Sequence, residues 1–361
     1  MASNQGQTGL FGARPTIRVD GVVQDALGDF LLQSLMVEET TRGLFRCEAT
    51  FLNWGPKNRE VGYLFFDRDV LDFGKAFAVA FGPPESAGPV FAGRITGIEA
   101  QYPPHRPPEL TVLAEDRFQD LRMERRTRSF EDSTDADVIR RIASQQGLTA
   151  QVDIDGPTHR VLVQLNQSDL AFLRERVAGV DAELWVEDRT LHAQARSRRN
   201  AGKVSFTYGQ NLIEFSVLAD LAHQRTAVRV SGWNVGDKAA IDVEAAESAI
   251  SGELSGGRGG SAVLGQALAA RRERVVAAMP LSQSEAQAIA DARYRSRARG
   301  FVRGAGVVDG SVAVRVGATV ELHGLGAFFD GSYYVTLARH TFTLHDGFRT
   351  TFHVERPGIG G

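Results

Sequence analysis

Eight histidines, one cysteine and pairs of adjacent carboxylates are the side chains of this 361-residue sequence best suited to catalysis or metal binding. The histidines are His105, His159, His192, His223, His323, His340, His345 and His353. None stands at the His-x-x-x-His or His-Glu-x-x-His spacing that puts two ligands on one helix face. His340 and His345 flank a hairpin pattern and His353 lies on the strand after it. A metal there would need facing side chains and a carboxylate, so all three are expected as solvated strand-surface residues. The carboxylate pairs include Glu38-Glu39, Glu115-Asp116 and Glu187-Asp188. Neighbours on a strand point to opposite faces, whereas a glycosidase needs two carboxyls across one cleft. Turn and surface roles are therefore expected for them. Cys47 sits in the strand pattern Leu44–Leu52 and reads as a packed core thiol.

Nucleophile and phosphate motifs are missing. The sequence has no Gly-x-Ser-x-Gly elbow and no Walker loop. Gly257-Arg258-Gly259-Gly260 has a linker's composition, and Gly324-Leu325-Gly326 follows a strand without opening a helix. No catalytic residue, cofactor or metal ligand is assigned, and the chain reads as a non-enzyme. Arginines cluster at Arg122, Arg125, Arg126 and Arg128, at Arg196, Arg198 and Arg199, and at Arg293, Arg295, Arg297 and Arg299. With 41 basic against 44 acidic residues the net charge is -3, which offers no global field to nucleic acid or an anionic membrane. Solvated or subunit-pairing surface is expected for these arginines, with no direct nucleic-acid partner. Trp54, Trp185 and Trp233 lie in or beside strand patterns and are expected in the core.

The elements that would carry these residues are mostly strands. Residues 1–14 read as a flexible tail without a signal peptide, and no apolar run approaches the ~20 residues needed to span a bilayer. From 15 to 132, alternating segments such as Thr16–Gly21, Phe30–Val37, Leu44–Leu52, Phe77–Phe81 and Val90–Ala100 are broken by Pro/Gly clusters. Such spacing predicts a β-barrel, since closure removes unpaired edges. From 133 to 200 a small α/β insert is expected: Thr134 and Asp137 stand at capping-box spacing, and Ser168 opens a second helix. A second β-barrel is expected over 201–357, with a flexible loop at 245–260 and a helix at 283–299 capped by Ser282 and Glu285. Residues 358–361 read as a tail. The layout is mainly β (α+β): two tandem barrels around a small α/β insert, which suggests an internal duplication.

One passage is more specific. Val316-Gly317-Ala318-Thr319-Val320-Glu321-Leu322-His323-Gly324-Leu325-Gly326 leads through Phe329-Asp330-Gly331-Ser332-Tyr333-Tyr334-Val335 to Arg339-His340-Thr341-Phe342. Gly347-Phe348-Arg349-Thr350-Thr351-Phe352 then follows. This resembles the ending of phage late control gene D proteins. Ser168–Leu173 with Ala182–Val186, and Val228-Arg229-Val230-Ser231-Gly232-Trp233-Asn234, are similar to two earlier passages of that family. The motif positions are Gly232, Trp233, Gly324, Gly326, Asp330, Gly331, Tyr333 and Tyr334, each with a structural role. Gly324, Gly326 and Gly331 suit turns that a β-carbon would obstruct. Tyr333 and Tyr334 suit the two faces of a strand.

The resemblance implies the baseplate hub of a contractile phage tail or injection system, similar to the hub part of type VI VgrG spike proteins. It implies a homotrimer with pseudo-sixfold symmetry, joining an inner tube protein above to a separate spike protein below, among other baseplate proteins. A separate spike is expected because the sequence stops after the hub-like part. Assembly in the bacterial cytoplasm, then residence in a virion or injection particle, is the matching expectation. The alternative is a tail-associated peptidoglycan hydrolase or carbohydrate-binding module, which would need facing carboxylates or an aromatic platform.

Overall fold

A computed structural model describes residues 14–57, 59–82, 88–276 and 282–360. The expected N-terminal tail, apart from residue 14, and the last residue lie outside the described residues. In chain order the first strands are β1 (Pro15–Val19), β2 (Val22–Val23), β3 (Leu32–Thr40), β4 (Arg46–Leu52) and β5 (Trp54–Lys57). They continue as β6 (Glu60–Tyr63), β7 (Ala76–Phe81), β8 (Gly88–Gln101) and β9 (Glu109–Glu115). Then come α1 (Phe118–Arg122), β10 (Arg125–Ser133), α2 (Asp135–Gln145) and β11 (Thr149–Asp153). β12 (His159–Ser168), α3 (Asp169–Gly179), β13 (Ala182–Glu187) and β14 (Thr190–Ala195) complete that region. The rest begins with β15 (Lys203–Thr207), β16 (Leu212–Ala219), β17 (Ala227–Asn234), β18 (Ala239–Ala245) and β19 (Arg258–Gly259). It continues with α4 (Gly260–Leu268), β20 (Arg272–Val276), α5 (Gln283–Arg299) and β21 (Val302–Asp309). β22 (Thr319–His323), β23 (Gly331–Thr343), β24 (Gly347–Arg356) and β25 (Gly358–Ile359) end it.

The protein is mainly β with helical insertions. One 13-stranded sheet runs β16-β21-β24-β23-β3-β4-β9-β8-β7-β1-β2, with β22 also on β23 and β15 on β22. It is therefore two strand sets joined edge to edge where β3 meets β23, from Ser34↔Thr343 to Thr40↔Leu337.

The two sets share a five-strand order. β7-β8-β9-β4-β3 in the first corresponds to β22-β23-β24-β21-β16 in the second, all antiparallel. Two of the irregularities coincide. β8 shifts register between Ile95 and Gly97, and β23 between Val335 and Leu337, in each case around a threonine. Thr96 Oγ1 donates to Leu113 O at 3.3 Å, and Thr336 Oγ1 donates to His353 O at the same distance. β3 shifts between Leu32 and Ser34, and β16 between Leu212 and Glu214. Gly74 and Gly317, both at positive φ, donate to the carbonyls of Ile95 and Val335. Bulges bend and twist a strand, so matched bulges give matched curvature.

Between and beside the strand sets lie two smaller α/β packings. In one, α2 and α3 cover β11-β14-β13 and the ribbon β10-β12, with Ile139, Ile142, Leu173 and Leu191 at its core. Its helices start where the sequence places them: Thr134 and Asp137 form a capping box, and Ser168 accepts from Ala171 N. The other was not foreseen. β17, β18 and β20 form their own sheet, packed on α5 through Val228, Val230, Ala290 and Tyr294. These strands were expected to belong to the second barrel. They separate because α5 supplies an apolar face that a half-buried three-stranded sheet must cover.

Two further expectations fail. Residues 245–260 do not form a flexible loop: short 3₁₀ turns at Glu247–Ala249 and Ser251–Glu253 lead to β19, which pairs with β25. The tail 358–361 is thereby partly strand, through Gly358 and Ile359. Backbone pairing and the anchoring of Glu253 offset the ordering cost that composition alone suggested. Among the described residues no helix is long and apolar enough to cross a membrane.

Candidate functional site

The motif residues of the C-terminal passage build one compact turn and direct two tyrosines apart. Gly324, Gly326 and Gly331 have φ of +80°, +87° and +128°, conformations that favour glycine. For Gly326 a β-carbon would meet nothing within 4 Å, so the backbone conformation selects glycine there, not crowding. Asp330 Oδ1 accepts the Leu325 N–H at 2.6 Å, and the N–H groups of Phe329 and Asp330 both donate to Gly326 O. Arg356 donates to the carbonyls of Asp330 and Phe328 and lies 4.5 Å over the Tyr333 ring. Tyr333 points into the core of the second set and donates to Phe329 O at 2.7 Å. Burial pushes its phenol up to about 12.

Tyr334 takes the opposite face and donates to Glu183 Oε2 at 2.6 Å. Burial, then the neighbouring Glu183 charge, raises its pKa well above the ordinary value. Around this bond lies a charged joint built by three regions. Arg315 Nε reaches Glu39 on β3 at 2.7 Å, and Arg199 reaches Glu183 on β13 at 2.8 Å and Glu39 at 3.8 Å. Arg196 meets Glu355 on β24 at 2.5 Å and stacks 4.2 Å from the Tyr334 ring. Arg199 stacks 3.9 Å from Trp185. Burial works against the Arg315 charge, but Glu39 holds its pKa above the usual value. Such a buried set fixes orientation, because losing one member strands a charge.

Two more polar ties hold the helical units together. His159 bridges Asp135 and Glu285, and Arg176 pairs with the same Asp135 at 2.6 Å. The hydrogen bond to Asp135 is the largest cause raising the His159 pKa, against the effect of burial. Arg299 is bidentate to both Asp181 and Glu253. Burial alone would lower its pKa, yet these two carboxylates raise it.

Several sequence expectations are corrected here. His340 is 1% exposed, with Nδ1 3.0 Å from Thr350 Oγ1, because it lies on the buried face of β23, whose two edges are paired with β24 and β3 where the strand sets join. Burial, then Arg315, holds its pKa down at about 3. Glu38, Glu39 and Asp116 are buried, not surface residues, since each has a partner remote in sequence: Arg339, Arg315 and the Phe45 N–H. Arg199 and Arg299 are buried for the same reason. Trp54 and Trp233 are 42% and 52% exposed, and of the three tryptophans only Trp185 packs in the core. Trp54 sits on the β5–β6 hairpin beyond the main sheet. Trp233 lies on β17 opposite Ala240 of β18.

The motif positions divide. Gly324, Gly326, Asp330, Gly331, Tyr333 and Tyr334 gather at the turn and joint, whereas Gly232 and Trp233 lie on β17 in the separate sheet. Glu39, Glu183, Arg196, Arg199, Arg315 and Glu355 were missed, and no short-range signal marks them. Among the described residues no group of three or more His, Cys, Asp or Glu side chains could hold a metal ion. A cleft of about 670 Å³ between the helical units is lined by Asp155 and Asp181, each held by an arginine. An exposed aromatic cluster does exist: Trp54, Tyr63, Phe66 and Tyr102 have ring centroids 4.7 to 6.3 Å from the Tyr63 ring.

Comparison with known proteins gives one family and a consistent fold. The model of the family described as the Alg8 N-terminal domain matches residues 36–343. No curated protein matches the sequence. A prophage MuSo2 43 kDa tail protein from Shewanella oneidensis is similar with a TM-score of 0.70 and 14% identity, over 96% of this chain and 98% of that one. A tail protein from Neisseria meningitidis has a TM-score of 0.68 and 13% identity, over 97% and 98%. An E. coli component of the type VI secretion system, described as similar to T4 bacteriophage tail proteins gp27 and gp5, has a TM-score of 0.58 and 10% identity. That match covers 96% of this chain and 79% of the other. At these identities the likeness establishes the shared fold.

Proposed function

This chain belongs to the Alg8 N-terminal domain family, and from that premise we propose that it is a structural hub subunit of a contractile tail or tail-like injection system. The observation that carries the reading is the repeated five-strand frame, joined to itself through β3 and β23. In this reading each set acts as a barrel-like module, since matched bulges favour curling, and one chain offers two similar modules side by side. Three chains would present six modules to a sixfold inner tube while keeping threefold symmetry toward a separate spike. The solved tail proteins and the type VI component with the same fold support this assignment. The buried joint of Glu39, Arg315, Arg199, Glu183 and Tyr334 suits it, because a load-transmitting ring needs modules that do not swivel.

The eight motif residues act structurally in this reading: six shape the turn and joint, and Gly232 and Trp233 shape the end of β17. The mechanism is geometric and uses no cofactor. Native mass spectrometry of the full chain over a concentration series tests it. A trimer is the expected species, and a monomer at every concentration overturns the proposal.

The exposed Trp54–Tyr63–Phe66–Tyr102 cluster is the one observation favouring a carbohydrate-binding module instead. Retention of the chain on purified peptidoglycan, abolished by Trp54→Ala, would favour that reading.

A further inference from the structure

The two strand sets match closely enough for one to serve as a template for the other. On β23, one edge carries β24 along its length, while the other carries first β22 and then, from Leu337 on, β3. On β8, one edge carries β9, while the other carries β7 only as far as Arg94. Beyond Ile95, which bonds to Lys75 and Gly74, no strand among the described residues pairs with that edge. The β8 segment Gly97–Gln101 thus corresponds to the β23 segment that β3 covers, and it is open. β16 corresponds to β3, and its only strand partner among the described residues is β21.

Both open edges bear apolar groups at positions that their counterparts bury. Leu218 on β16 is 63% exposed where its counterpart Glu38 is 9%, and Tyr102, just past β8, is 61% exposed where its counterpart Phe342 is 4%. Long open edges with apolar side chains invite strand addition, and stable proteins otherwise blunt them.

We propose that β16 of one copy of this chain adds antiparallel to the Gly97–Gln101 edge of β8 in the next copy. The register follows from the internal joint. Ala338↔Glu39, His340↔Val37 and Thr341↔Met36 become Ile98↔Ala219, Ala100↔Val217 and Gln101↔Ser216 of the neighbouring copy. Tyr102 takes the place of Phe342, so part of the exposed aromatic cluster is covered by the next copy. Charge is also accommodated. In the internal joint Glu38 stands between Arg339 and Arg46; between copies Leu218 stands with Glu99 on one side and Arg303 on the other. Each copy has one donating and one accepting edge, so the contact is head-to-tail and forms a ring when its rotation closes. The number of copies rests on the hub reading above; the strand pair and register rest on the internal repeat.

Disulfide trapping in the full chain tests the register. Cys47 is 1% exposed and provides a quiet background. Gln101→Cys with Ser216→Cys, and Ala100→Cys with Val217→Cys, place cysteines directly opposite. Of two successive pairs, one is the closer, non-hydrogen-bonded kind, with Cα atoms about 4.5 Å apart. Gln101→Cys with Leu218→Cys is the off-register control, diagonal at about 7–8 Å. Mild oxidation is expected to give reductant-sensitive dimer and trimer bands with at least one in-register pair, and none with the control or the single variants. A species that is trimeric by mass but in which neither in-register pair cross-links, or the control cross-links as fully, overturns the edge assignment and leaves the hub reading standing. A chain that stays monomeric by mass removes both.

Discussion

The first strand set uses its β3 edge and the second leaves the corresponding β16 edge open, although the two strands share order, direction and a bulge at the same place. What surrounds that frame is free to differ. Between β3 and β4 the first set has only a short turn, whereas the second inserts the whole β17–β18–β20 and α5 unit between β16 and β21. The first set carries the β5–β6 hairpin instead. The outermost strands also disagree, since β1 runs antiparallel to β7 but β15 parallel to β22. Curvature and edge register therefore repeat, while decoration does not. That is the pattern expected if the repeated quantity is the angle between neighbouring modules.

The sharpest way to break the comparison is to make β3 resemble β16. Glu39 corresponds to Ala219, and Glu39→Ala strands Arg315, while Arg199 keeps Glu183. A loss of about 3–5 kcal/mol is expected from chemical denaturation of the isolated chain. Ala219→Ser, at the open edge, should stay within about 0.5 kcal/mol. A matched valine pair gives the next effect. Val37→Ala removes two buried methyl groups and leaves a cavity, for about 2 kcal/mol. Val217→Ala should cost clearly less under the same denaturation, because its strand is covered on one edge only. If the two cost the same, the open-edge description of β16 is wrong.

Taken per pH unit, the smallest effect contrasts two histidines. His159 has a raised pKa, so its contribution is complete below the unfolded value of about 6.5 and fades as pH rises through the higher folded value. Its partners Asp135 and Glu285 have lowered pKa values, so their share is present above about 4 and lost as pH falls. His340 is buried neutral at about 3, so the unfolded chain binds the extra proton, and stability drains away as pH falls from about 6.5 toward 3. Measured as unfolding free energy against pH, His340→Gln should flatten the acid limb, by at most about 1.4 kcal/mol per pH unit. His159→Gln should flatten the decline above neutrality. An unchanged slope in either variant would contradict the burial and pairing assigned to that ring.

Much of the fold was legible from local signals. The capping boxes of Thr134 with Asp137 and Ser282 with Glu285 form as spaced. The positive-φ glycines at Gly324, Gly326 and Gly331 and the alternation of Tyr333 with Tyr334 are likewise in place. The charged joint was not legible, nor were the exposure of Trp54 and Trp233 and the burial of His340. A helix cap or a turn is decided by atoms a few residues away, and residue type at fixed spacing reports it.

Sequence alone thus determined strands, turns and caps, because these depend on backbone conformation and near neighbours. Only the tertiary structure decided which charges could be buried and which edge would be filled. Arg339 and Glu38 are 301 positions apart yet are joined by hydrogen bonds. A buried ion is tolerated only when its partner arrives from elsewhere in the fold, and no local pattern encodes that arrival.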